Sequence, residues 1–342
     1  MSLTDKLNGL YASTKRNIRD YALTSAMVAA LITPKINKAE NIYVDPSWMD
    51  DGTPTLINNI LDGNPDTEGK DGQEDAQYGD TVVAAVGIYQ LPLQQGAEFT
   101  LKIDGVNIRG AGIDQTIFRG ATNTSGRVWT IASRDNILFK FTTDNSKVGI
   151  GIDGPNYENI IISNFKGTSH DKHVTYAEEN ANEPTTSQSI MITDSYFQGG
   201  AIGIHHSENN GATPYTKYLS FRNITADGLT ILIDGSRIID NKVAILRGKF
   251  SDSIVINSDS VFGEYWLFEF ETPPVGFVEW NNGTESLYEL GIGENNIEAD
   301  PLLNFYIRPL QNSPAIGPQY KKGFSGAFPQ AGNLEGDPDV DL

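Results

Sequence analysis

The stretch YGDTVVAAVGIYQLP, residues 78–92, decides the fold class. Its apolar run is short and rich in β-branched residues. Gly-Asp precedes it and Gly-x-Tyr follows, so it reads as a strand between turns rather than as a helix. The same pattern extends on both sides, in IYVD, EFTLKI, VNIRG, TIFRG and VWTIA. No long amphipathic helix separates these runs, which excludes alternating βαβ units. The composition agrees: 34 Gly, 16 Pro and only 20% charged residues suit many short strands joined by turns.

Further along, the strands repeat. NIIISNFKG begins at Asn159, SIMITDSYFQGG at Ser189, YLSFRNITADG at Tyr218 and KVAILRGKFSD at Lys242. Aligning Ile162, Ile192, Phe221 and Ile245 gives steps of 30, 29 and 24 residues, the length of one coil in a β-solenoid. One coil cannot bury its own apolar face, so stacking is expected to align inward Ile, Val, Leu and Phe in columns. Asn164 and Asn223 fall just after their strands, where side chains on successive coils are placed to hydrogen-bond along the stack.

Two stretches carry a family resemblance. Gly79-Asp80-Thr81-Val82-Val83 with Gly87-Ile88-Tyr89, followed by VNIRGAGIDQTIFRG at 106–120, resembles the first full coil of right-handed parallel β-helices of the pectate-lyase-like superfamily. EADPLLNFYIRPLQNSPAIGP, residues 298–318, is similar to their closing coil. The resemblance implies an all-β fold, a right-handed parallel β-helix (solenoid), and brackets residues 79–318. It implies no single activity, because the fold serves lyases, hydrolases, adhesins and phage tailspikes alike. The lyase R-x-P-x-x-R pattern, the polygalacturonase N-T-D…D-D…G-H-G series and a serine nucleophile elbow are all missing from the sequence. GAGIDQT, without the third Gly and a following helix, reads as a turn between coils rather than a nucleotide loop.

The segment SLTDKLNGLYASTKRNIRDYALTSAMVAALITPK, residues 2–35, has helical periodicity. Ser2 is placed as N-cap, and Pro34 ends the helix. The expected organisation is an α-helical anchor or cap over 1–34, the β-helix over 35–317, and a Gly/Pro-rich acidic tail over 318–342. The opening S-L-T-D-K-L-N-x-L…T-K-x-x-I resembles the short helical start of bacteriophage tail and virion proteins.

Charge bounds the partners. The net charge of −19 repels phosphate backbones and anionic lipid, which argues against nucleic acid as a ligand. No apolar run reaches the length of a membrane span. Cysteine is absent, and with it any disulfide framework or thiolate metal site. Glycans remain in play, since 14 Tyr, 15 Phe and 4 Trp supply stacking surfaces.

Three groups of residues are candidates for chemistry. His170 and His173 in SHDKH and His205 and His206 in GIHHSE lie about one coil apart. With Asp171, Lys172 and Glu208 they would form a polar cluster able to hold a metal or a sugar; the alternative is a set of loop residues on a wet surface. Asp62, Asn64, Asp66 and Glu68 alternate like a calcium loop, but Thr67 and Gln73 stand where the EF-hand pattern needs Gly and Glu. A Ca²⁺ site of another type and a solvated acidic insertion are the two readings. Tyr265, Trp266 and Trp280 belong to a dense aromatic stretch, suited to stacking on sugars or to packing in the core or against another subunit.

The expected function is a bacteriophage virion structural protein: a tail fibre, tailspike or surface decoration component. Other virion proteins and copies of itself, as a trimer by family resemblance, are the expected partners, with surface polysaccharide as ligand. The alternative is a polysaccharide lyase or glycoside hydrolase acting outside the cell, using the histidines or Asp153, Asp171 and Asp194.

Overall fold

A computed structural model describes residues 39–49, 53–93, 97–121, 126–153, 158–178, 189–208, 216–235, 245–262, 267–270, 274–280, 282, 295–303, 309, 312–316 and 325–326. The expected N-terminal helix and most of the acidic tail lie outside these residues. The described chain is an all-β parallel β-helix. One 19-stranded sheet winds through it, and every pairing between its strands is parallel. All described residues fall in one unit, Ala39–Leu342.

Each coil contributes to three faces. The first face opens with Asn41–Val44, Thr81–Ala84 and Asn107–Gly110, and its inward column reads Ile42, Val82, Ile108, Leu138, Ile162, Ile192, Phe221, Phe250. All eight are buried. The sequence alignment of Ile162, Ile192 and Phe221 is thus the structural register. Its fourth member is corrected: Phe250, not Ile245, stacks on Phe221, and Ile245 pairs with Thr216. The step there is 29 residues, so the three coils from Ile162 to Phe250 differ in length by one residue at most. The step of 24 comes from aligning the first apolar residue of the strand Ile245–Ser251 instead of the one five positions later that holds the register.

The second face runs through Gly87–Gln90, Thr116–Arg119 and, later, Ile254–Ile256 and Val278–Trp280. Aromatic rings gather behind it as a spine. Phe118 sits 4.8 Å from Tyr89, 5.0 Å from Phe99 and 5.4 Å from Phe141 between ring centroids, and Phe165 and Phe197 continue the series at 5.6 and 6.1 Å. These are the offset and edge-to-face separations that aromatic pairs favour. The third face stacks Phe99–Leu101, Arg127–Ile131, 148–153, 172–178, Ile202–Glu208, Ile231–Gly235 and Ser260–Phe262.

The corner between the first and second faces explains the Asn and Asp content. Asn164, Asp194, Asn223 and Asp252 occupy it on successive coils, all with positive φ near 50°. Asn and Asp tolerate this left-handed region better than other residues with a Cβ. Asn223 Nδ2 donates to Asp194 Oδ1 at 2.9 Å, a hydrogen bond along the column between successive coils. The residue after the corner does a second job. The Ser195 hydroxyl accepts from Phe165 N–H on the preceding coil, and Ser253 accepts from Ile224 N–H. Both backbone groups are buried at a bend where the sheet ladder cannot reach them, and an unpaired N–H there is costly.

The SPAI segment lies outside the main core. Ala315 packs with Ile254 and Val278 as a separate apolar cluster, on the outer side of the second face. Ser325 N–H donates to Ala315 O, and Gly326 N–H to Asp252 O.

Candidate functional site

The third face carries the histidines, and its two sides treat them differently. His170 and His173 lie on the long strand Ile160–Glu178 and are 1% and 0% exposed. For these two residues this corrects the alternative of loop residues on a wet surface. His170 Nε2 is 2.9 Å from Thr143 Oγ1, and its Nδ1 is 3.0 Å from Ser146 Oγ. His173 Nε2 donates to Gly199 O at 2.7 Å, and its ring stacks on Phe197 with centroids 5.2 Å apart. Nδ1 of His173 is buried with no partner, so a proton there would meet no acceptor. Burial pushes His170 down to about 4 and His173 down to about 3, with His170 adding to the push on His173. These rings are neutral parts of the core.

Glycine makes room for them. Gly167 occupies the inward position between Thr143 and Phe197 on the second face. A Cβ at Gly167 would stand 2.4 Å from His173 Nδ1. His173 therefore fills, from the third face, the volume that a side chain at 167 would take.

The outer side of the third face is polar. His205 and Asp234 are register partners on neighbouring coils, and His205 Nδ1 lies 3.1 Å from Asp234 Oδ2. Thr175 precedes His205 in the same column. Lys172 lies earlier on that strand and is half-buried. Burial holds its ammonium below its usual range; Asp234 opposes this and Lys147 reinforces it. Two coils before Lys172, Arg127 crosses Gly151 and pairs with Asp153, which has one buried carboxylate oxygen without a partner. Five successive coils thus carry Arg127, Asp153, Lys172, His205 and Asp234, of which Arg127 and Lys172 share one register position and His205 and Asp234 another.

The structure does not gather the two histidine pairs. His170 and His173 face inward, whereas His205 faces outward with Asp234. Asp171 is exposed beside them. His206 and Glu208 take places in the strand Ile202–Glu208, opposite Tyr176 and Glu178; their side chains lie outside the described set. Among the carboxylates of the enzyme alternative, Asp153 is held by Arg127, and Asp194 accepts from Thr193 Oγ1 at 2.7 Å as well as from Asn223. Asp234 was not singled out in the sequence, although the 29 residues that separate it from His205 are one coil step.

The acidic loop is built on local turns. Asp62 Oδ1 accepts from Asn64 N–H at 2.8 Å and Asn64 Oδ1 from Asp66 N–H at 3.2 Å, while Thr67 Oγ1 reaches Asp62 Oδ1 at 3.2 Å. Glu68 contributes its carbonyl, which accepts from Asn59 Nδ2. Among the described residues no three His, Asp or Glu converge as a metal-holding group. Trp280 is 43% exposed at the end of Val278–Trp280, next to Ile256 in register. Tyr265 and Trp266 lie outside the described residues. Comparison with protein-family models, with curated proteins and with solved structures found no match.

Proposed function

We propose that this chain is a structural component of a bacteriophage virion, a tail fibre, tailspike or surface decoration protein, whose β-helix presents its third face to a host glycan. The observation that carries the reading is the division between the two sides of that face. Inside, the histidine pair is consumed by packing. Outside, each of five successive coils carries a charged or hydrogen-bonding side chain, a polar surface suited to a polymer that runs along the stack. The resemblance of the first twenty residues to virion proteins supports the assignment to a particle, and the uninterrupted stack supports a rigid, outward-standing role.

The test is the solution mass, by light scattering, of the full chain beside one that starts at residue 35. A trimer or larger assembly that is lost on truncation supports the reading. A monomer in both overturns the assembly role.

A second reading, a polysaccharide lyase, is favoured by Lys172 alone: a half-buried amine held below its usual range by burial, with Asp234 near, suits a base. Incubation with acidic polysaccharides, with and without Ca²⁺, would then yield unsaturated uronates in the ultraviolet, and Lys172→Met would abolish the signal. Absence of product from a panel of such polymers favours the structural reading.

A further inference from the structure

The first coil carries a groove that the histidine face does not explain. Its volume is about 510 Å³, within the range of small-molecule sites. One wall comes from Asn41–Val44 and the turn that follows it, with Tyr43 and Trp48; the other is the loop 70–74. Tyr43 is 66% exposed although it sits in a strand, because period two turns it away from buried Ile42 and Val44. Trp48 is buried to 8% and forms the fixed base of its wall.

The two walls of the groove are fixed to each other. Gly69 lies against the Trp48 ring so closely that a Cβ would meet Cζ3 at 2.8 Å. Gly69 N–H donates to Gln73 O, and Gln73 N–H to Lys70 O, which closes the loop on itself. Asp71 and Gly72 both take positive φ in that turn. A chain of hydrogen bonds ties the walls together: Lys70 Nζ donates to Ser47 Oγ at 2.5 Å, and Ser47 donates in turn to Asp45 Oδ1 at 2.5 Å. The Ser47 bonds hold the Asp45 carboxyl below its usual range, so it is an acceptor.

The chemistry of the lining selects the ligand. An exposed aromatic face beside carboxylate acceptors and an amide matches a sugar ring, which offers C–H bonds on one face and hydroxyl donors at its edge. Asp45, Asp71 and Glu74 outnumber Lys70, so a carboxylated or phosphorylated sugar is repelled. We propose that this groove binds a neutral, hydroxyl-rich saccharide, with Tyr43 as the stacking platform and Asp45 and Glu74 as hydroxyl acceptors. The site is separate from the third face and does not rest on that reading.

The test uses the full chain in calorimetric titration with neutral gluco- and galacto-oligosaccharides, with oligogalacturonate as the charged comparison. Saturable binding of a neutral oligosaccharide is expected, with a change in tryptophan fluorescence. Tyr43→Phe is expected to keep the affinity, and Tyr43→Ala to lower it about tenfold or more while leaving the circular dichroism unchanged. Tyr43 is exposed, so its loss leaves the core intact. Failure of every neutral oligosaccharide to bind at millimolar concentration, equal affinity in Tyr43→Ala, or preference for oligogalacturonate each overturns the proposal. None of these outcomes alters the assembly mass, so the two readings fail separately.

Discussion

Acidification should destabilise this β-helix through two residues, His170 and His173. Both rings are neutral in the folded chain well below the ordinary histidine value of 6.5, down to about 4 and about 3. The unfolded chain protonates them at about 6.5. Above that pH neither state takes up a proton, and the stability is fully present. Below it the unfolded chain binds protons that the folded core refuses, so stability falls as pH falls until each folded value is reached. The slope is about 1.4 kcal/mol per pH unit for each ring. Between pH 6.5 and pH 5 that amounts to roughly 2 kcal/mol per histidine, a large part of a typical folding free energy. The assay is urea unfolding followed by circular dichroism at pH 7, 6.5, 6, 5.5 and 5, for the natural chain and for His173→Phe and His173→Leu. Each variant changes absolute stability, because it loses the bond to Gly199 O and alters the stacking on Phe197. The informative quantity is the dependence on pH, in which the groups common to all chains cancel. Removing His173 should flatten the slope by about 1.4 kcal/mol per unit. An unchanged slope would refute the reasoning, since it would mean that His173 is protonated as readily in the folded chain as in the unfolded one.

Two further outcomes follow from the packing. Gly167→Ala places a Cβ against His173 Nδ1 and should cost about 1–3 kcal/mol; a double-mutant cycle with His173→Ala should recover part of that loss, and strict additivity would deny the contact. Ser195→Ala strips the buried Phe165 N–H of its acceptor and should cost about 1–3 kcal/mol, read as a lowered thermal midpoint, with Ser195→Thr costing less.

How much of this was legible in the sequence depends on the distance over which each signal acts. The alternation of apolar residues and the recurrence near 30 residues are properties of the chain itself, and they determined the parallel stack and the register of Ile162, Ile192 and Phe221. Asn164 and Asn223 were visible as residues that follow their strands; that they sit in left-handed backbone at a corner came from the structure. The histidines were misplaced because neighbouring sequence does not reveal which way a side chain faces at a corner. SHDKH is polar in composition, yet the empty volume over Gly167, contributed by another face of the coil, draws His173 inside. The charged set on the outer face was unread because its members are one coil apart, and only the stacked register brings His205 beside Asp234.

The groove on the first coil shows the same boundary. Tyr43 and Lys70 are 27 residues apart, and nothing local to either announces the other. Sequence determined what repeats: strand, corner and coil length, each set by interactions within a few residues or by a period. Tertiary structure decided what does not repeat: which rings the core absorbs, which charges meet, and where two walls enclose a space. Those depend on volume and distance between coils, which are fixed only when the stack forms.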